Sequence, residues 1–189
     1  PGAKVVGVSM KDRAAILMAG PRGDAAYWYE QATGEFISST YYMKSAPPWL
    51  DQINRRRVPD SYGGKSWTRL ADDPGVYLKY AGEDNVSTEA DTKNTVFPHA
   101  LPAAGTPALY DSFRRTPFMD ELTLEVALQA MNAHGLGEDE APDVLAVGFS
   151  ALMDRRRAKR AAFAGLSDDE TSAIDAPTPI DDPTPLDDL

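Results

Sequence analysis

The sequence contains no cysteine, which excludes disulfides, thiolate metal sites and a cysteine nucleophile. Histidine occurs only twice, at His99 and His134, too few for a histidine-rich zinc site unless carboxylates supply the other ligands. There is no run of about 18 apolar residues, so no segment reads as a transmembrane helix. The opening residues Pro1-Gly2-Ala3-Lys4 lack the charged start and apolar stretch of a signal peptide, and the chain reads as beginning inside a longer product. Basic charge is scarce as well, with 19 Lys and Arg against 29 Asp and Glu.

What is present suits one folded domain and a tail: 189 residues, 42% hydrophobic and 25% charged. The acidity is uneven. Eight acidic residues fall in 168–189, where Lys and Arg are absent, and the remaining 21 nearly balance the 19 basic ones. The net charge of -10 therefore describes the tail, and the body carries no strong field of either sign.

Lys4 to Ser9 is a β-branched run, and Asp12 to Ala19 reads as a helix closed by Gly20. Ala26-Tyr27-Trp28-Tyr29 and Glu35 to Thr40 flank Thr33-Gly34, as in a hairpin. Pro47-Pro48 starts a helix with Trp49, Leu50 and Ile53 on one face and Arg55-Arg56-Arg57 at its C-terminus. Residues 58–115, rich in Gly, Pro, Asp and Asn, read as a long irregular insertion. Thr116-Pro117 opens a helix so apolar around its circumference that it is expected to be well buried, ending at His134-Gly135. Asp143 to Ser150 reads as a strand buried on both faces. Alternating strands and helices predict an α/β class. Residues 153–167 form a basic segment and 168–189 an acidic, Pro-rich tail expected to be disordered.

In α/β folds ligands gather at the carboxyl ends of strands. The first strand delivers Ser9-Met10-Lys11-Asp12-Arg13, where an ammonium, a guanidinium fork and a helix N-terminus suit a phosphate. Asp12 as a helix cap beside two solvated cations accounts for the same residues. The last strand leads to Asp154, a place for either a metal ligand or a turn. Ser150 lacks the second glycine of a nucleophile elbow, and Gly63-Gly64-Lys65-Ser66 lacks the first glycine of a P-loop. His99 reads as a loop residue and His134 as a partner of the helix dipole. The arginines from Arg155 to Arg160 have no interleaved aromatics and precede the acidic tail, so neither nucleic acid nor membrane is expected as a partner.

Taken together, Val8 to Leu17, Ala26 to Tyr29, Gly34 to Met43, Pro48-Trp49 to Asn54, Gly64 to Trp67, Phe97-Pro98-His99, Thr116 to Thr123 and Asp143 to Ser150 resemble, in order, the type I phosphodiesterase and nucleotide pyrophosphatase family. Within the alkaline phosphatase superfamily they look most like the bacterial secreted alkaline phosphatase branch. The resemblance covers about residues 4–152 and implies a partial alkaline-phosphatase-like sheet flanked by helices. It implies hydrolysis of phosphate mono- or diesters with two zinc ions, a threonine nucleophile and a covalent phosphoenzyme. Lys11 and Arg13 match the pair that contacts the phosphoryl oxygens, and a periplasmic or secreted location goes with that branch.

This chain departs from the family pattern at about Leu152. Where the family continues with Ser, two small residues, Asp, two residues, Gly and His, the chain reads Ser150-Ala151-Leu152-Met153-Asp154-Arg155-Arg156-Arg157. Asp154 is thus displaced by one position and the Gly-His pair is missing. The expectation is an internal fragment, inactive by itself because nucleophile and most zinc ligands are missing, with no zinc stably bound. The alternative is a non-catalytic interaction protein whose acidic tail binds a basic partner. Oligomeric state is not legible.

Overall fold

Both faces of the first strand are buried: with side chains alternating at a period of two, Val6 and Val8 lie in one apolar cluster, while Gly7 lies against a helix on the opposite face. The structure is a computed structural model that describes residues 2–81, 83–85 and 95–149. Along the chain the elements are β1 (Val5–Ser9), α1 (Asp12–Ala19), β2 (Ala25–Glu30), β3 (Glu35–Ile37), α2 (Pro48–Arg55), a 3-10 turn (Val58–Tyr62), β4 (Ser66–Trp67), α3 (Pro74–Ala81), β5 (His99–Ala100), α4 (Pro107–Phe113), α5 (Pro117–Ala133) and β6 (Val144–Gly148).

The main sheet has the order β3-β2-β1-β6. β1 pairs in parallel with both β2 and β6, with Val8 beside Tyr27 on one side and beside Val147 on the other. β3 returns antiparallel on β2. Parallel neighbours need a crossover, and α1 supplies it between β1 and β2. On this face Ala15 and Ala19 pack on Ala26, with Trp28 and Tyr42 around them. The contact is so close that a Cβ at Gly7 would lie 2.3 Å from the carbonyl oxygen of Ala15.

The opposite face carries the larger core. Val6, Val8, Tyr27, Tyr29 and Phe36 meet Leu50 and Ile53 of α2, Leu109 and Phe113 of α4, and Met119 and Val126 of α5. The architecture is a partial α/β sheet with helices on both faces, as the sequence predicts. β4 and β5 form a separate two-stranded ribbon. Beside it the Arg69 guanidinium lies between the rings of Tyr77 and Phe97 and pairs with Asp84 at 2.7 Å.

Four expectations need correction. Residues 58–115 are not an irregular insertion throughout, because α3 and α4 lie within them. α4 has a full cap: the Thr106 hydroxyl accepts the Leu109 N–H at 3.2 Å, and Pro107 occupies the first turn. Its seven residues are too few to show helical periodicity. The second hairpin strand ends at Ile37 rather than Thr40, and Ser38 instead donates its hydroxyl to the Ala26 carbonyl at 2.7 Å. α5 buries one face only, leaving Leu124 and Leu128 each 47% exposed. β6 is not buried on both faces: it borders the sheet among the described residues, and Val144 is half-exposed.

The Arg55-Arg56-Arg57 triplet is divided by the fold. Arg55 ends α2, Arg56 pairs with Glu125 on α5, and Arg57 leaves the helix with φ of 49°. There Arg57 pairs with Asp60 at 2.9 Å and donates to the Tyr110 hydroxyl. Burial pushes the Asp60 carboxyl up, but the hydrogen bonds from Gly105 N–H, Arg57 and Tyr110 outweigh it and hold the group below its ordinary value.

Candidate functional site

The strand order reverses at β1. The β1-α1-β2 unit proceeds to one side along one face, whereas α5, on the other face, leads into β6 on the other side. In open α/β sheets the carboxyl ends at such a reversal are where ligands bind. Here those ends are Ser9 of β1 and Gly148 of β6, which lie side by side in the ladder.

The chain turns from β1 into α1 within three residues. Met10 accepts the Tyr29 N–H at 3.3 Å, tying the turn to β2. Lys11 is the cap residue of α1, extended at φ -103° and ψ 134°, and its carbonyl accepts the Ala15 N–H at 3.1 Å. Lys11 is half-buried and Arg13 exposed. Because Lys11 precedes the helix in an extended conformation, the usual divergence of positions i and i+2 on a helix does not govern the pair.

Asp12 is not the cap that the simpler sequence account made it. It occupies the first turn, where its carboxylate accepts the Arg13 N–H at 2.6 Å and favours the positive end of the helix dipole. Sequence reasoning missed what Ser9 does. Its side chain is fully buried; its hydroxyl donates to the Gly148 carbonyl at 3.1 Å and accepts the Lys11 N–H at 3.3 Å. A serine two residues before the lysine was the only local signal, and its partner lies 139 positions away.

The other candidates go elsewhere. Asp154 and Ser150 lie outside the described residues, as do the basic segment and the acidic tail. His99 sits in β5, not in a loop, with its ring 4.3 Å from that of Phe97 and 5.4 Å from that of Trp67. His134 follows α5, where its Nε2 is hydrogen-bonded to the Tyr27 hydroxyl at 3.0 Å. Burial pushes the imidazole down from its ordinary value and the Tyr27 phenol up to about 12. The hydrogen bond to Tyr27 is a side-chain partner that the helix-dipole reading of His134 did not include. Gly63-Gly64-Lys65-Ser66 leads into β4, whereas a P-loop opens a helix.

Among the described residues no group of three His, Asp or Glu side chains is arranged to hold a metal ion.

No protein-family model matches the chain. Alkaline phosphatase PafA of Elizabethkingia meningoseptica is 38% identical over 151 residues, which cover 78% of this chain and 27% of that protein. Alkaline phosphatase PhoV of Synechococcus elongatus is 35% identical over 158 residues, again 78% of this chain and 27% of that protein. The chain thus spans about a quarter of the length of these curated relatives. The crystal structure of wild-type PafA superposes with a TM-score of 0.65 at 36% identity, over 79% of this chain and 29% of PafA. A solved PafA variant superposes with a TM-score of 0.67 at 31% identity, over 91% of this chain and 35% of its own. That variant replaces a threonine, an asparagine, and a lysine and an arginine two positions apart.

Proposed function

The chain belongs to the alkaline-phosphatase-like family over about four-fifths of its length, and from that premise we propose that it supplies the phosphate-contacting side of a metal-dependent phosphohydrolase site. Lys11 and Arg13 are the residues assigned to that role. The observation that carries the reading is their place at the reversal of strand order, beside Ser9 and Gly148 and at the start of α1. A compact ammonium and a planar guanidinium there neutralise and orient phosphoryl oxygens. Their spacing equals that of the lysine and arginine replaced together in the PafA variant.

The substrate class is a small phosphate ester. Two cations favour the dianionic end of a monoester, and the type I phosphodiesterase resemblance keeps diesters in the same class. In the resembling family a threonine attacks phosphorus and metal ions supply charge stabilisation. The metal ligands would lie outside the described residues, with Asp154 as the one candidate named from this sequence. Secretion or a periplasmic location is the matching proposal; among the described residues no helix is long and apolar enough to cross a membrane.

The 189-residue chain by itself is proposed to bind phosphate without turning over esters. Titration with inorganic phosphate, followed by phosphorus NMR, tests the binding: Lys11→Ala and Arg13→Ala are each expected to weaken it about tenfold, the loss of one charged hydrogen bond. Equal affinity in wild type and both variants would refute the assignment. Turnover of a phosphate ester in zinc-supplemented buffer that disappears in Lys11→Ala would refute the proposed inactivity. Tight capture of a basic protein, lost on deleting residues 168–189, would favour the interaction-protein alternative.

A further inference from the structure

The proposed site uses the charges of Lys11 and Arg13 but not the hydroxyl beneath them. Ser9 and Gly148 form the last pair of the β1 and β6 ladder. Beyond that pair, the Gly148 carbonyl and the Lys11 N–H need other partners, and buried backbone groups are rarely left without one. The Ser9 hydroxyl serves both, because one hydroxyl donates and accepts at once. Position 148 is shaped for this: a Cβ there would sit 2.7 Å from Ser9 Oγ and 3.3 Å from the terminal methyl of Met18. Glycine at 148 therefore lets the hydroxyl reach between the strands. The resulting chain of contacts runs from the backbone of β6, through Ser9, to the backbone of the lysine that caps α1.

We infer that Ser9 is a positioning residue for Lys11, coupling the anion-binding turn to the carboxyl end of β6. The inference rests on the phosphate reading of Lys11 and Arg13 and extends it. An anion held by Lys11 tightens the turn, and the strain passes through the Ser9 hydroxyl to the Gly148 carbonyl. Altered polarisation of that carbonyl is felt at the next amide, that of Phe149, which makes the coupling readable.

The full 189-residue chain is titrated with inorganic phosphate while amide resonances and thermal unfolding are followed in wild type, Ser9→Ala and Lys11→Ala. In wild type the Lys11 and Phe149 amides are expected to shift together along one binding curve. In Ser9→Ala the Phe149 response disappears and affinity falls about fivefold, the scale of one neutral hydrogen bond. A lower melting temperature in Ser9→Ala with unchanged phosphate affinity would overturn the inference, since it would make the hydroxyl purely structural. Should Ser9→Ala not fold, the wild-type titration decides alone: a Phe149 amide that stays still while Lys11 moves refutes the coupling. Absence of phosphate binding in wild type refutes both the site and the coupling. Binding abolished by Lys11→Ala but untouched by Ser9→Ala removes only the role of Ser9.

Discussion

Asn54 holds both backbone groups of Phe36. Its Oδ1 accepts the Phe36 N–H at 2.9 Å and its Nδ2 donates to the Phe36 carbonyl at 2.8 Å. Phe36 lies in β3, the other border of the four-stranded sheet, so among the described residues these groups have no strand partner on that side. A single amide on α2 does the work of a neighbouring strand and fixes α2 against the sheet. Asn54→Ala is expected to cost about 2 kcal/mol, the sum of two neutral hydrogen bonds. Asn54→Asp keeps the acceptor but turns its second carboxylate oxygen toward the Phe36 carbonyl oxygen, so it should cost at least as much as the alanine variant. Urea midpoints with unchanged slopes measure both, and an alanine variant as stable as wild type would contradict the account.

Gly7 has no room for a side chain. A methyl there meets the backbone oxygen of Ala15 rather than a movable side chain, so α1 must shift as a unit. Gly7→Ala should destabilise by about 2 kcal/mol, within the range for overpacked sites. Because Lys11 caps α1, the same variant should also weaken phosphate binding. Thermal melting together with the phosphate titration checks both parts.

His134 makes stability depend on pH. Its pKa is depressed in the folded state by burial, with Lys4 also lowering it and Asp24 opposing. The unfolded value is about 6.5, so as pH falls through that value the unfolded chain takes up a proton that the folded chain resists. The contribution is complete above about 6.5 and is lost progressively below it, because stability rises with pH wherever the unfolded state binds more protons. His134→Gln should flatten this part of the pH profile. Unfolding free energies between about pH 5 and pH 7.5 would show it, and parallel profiles for wild type and variant would count against it.

The border formed by β6 should promote self-association. Val144 and Phe149 are 49% and 51% exposed, and Leu17 on the adjoining α1 is 78% exposed. Unpaired strand groups beside exposed apolar residues template contacts with other copies. Light scattering should reveal larger species as concentration rises, and Val144→Lys should return them toward monomer. A wild-type monomer that melts cooperatively at high concentration would refute this.

Local signals carried much of the architecture. The β-branched run into Ser9, the Gly20 stop and the Gly34 turn mark the β1-α1-β2-β3 unit, and Pro48 and Pro117 mark the starts of α2 and α5. The residues of the candidate turn, Lys11 and Arg13, were legible for the same reason, since only two residues separate the strand end from the helix start. Signals failed where the helix was too short, as in α4, or where burial depended on neighbours remote in sequence.

From the sequence alone follow the α/β class, the order of most elements, the cysteine-free chemistry and the two cations, because each depends on residues a few positions apart. Tertiary structure decided that β6 borders β1, that α5 buries one face only and that Asn54 closes the edge of β3. It also decided that Ser9 joins Lys11 to Gly148; the 139 positions between Ser9 and Gly148 leave no periodic trace. The physical reason is that propensity and capping act over one or two turns of chain. Strand partners, close packing at Gly7 and the satisfaction of buried backbone groups are settled only when distant segments meet.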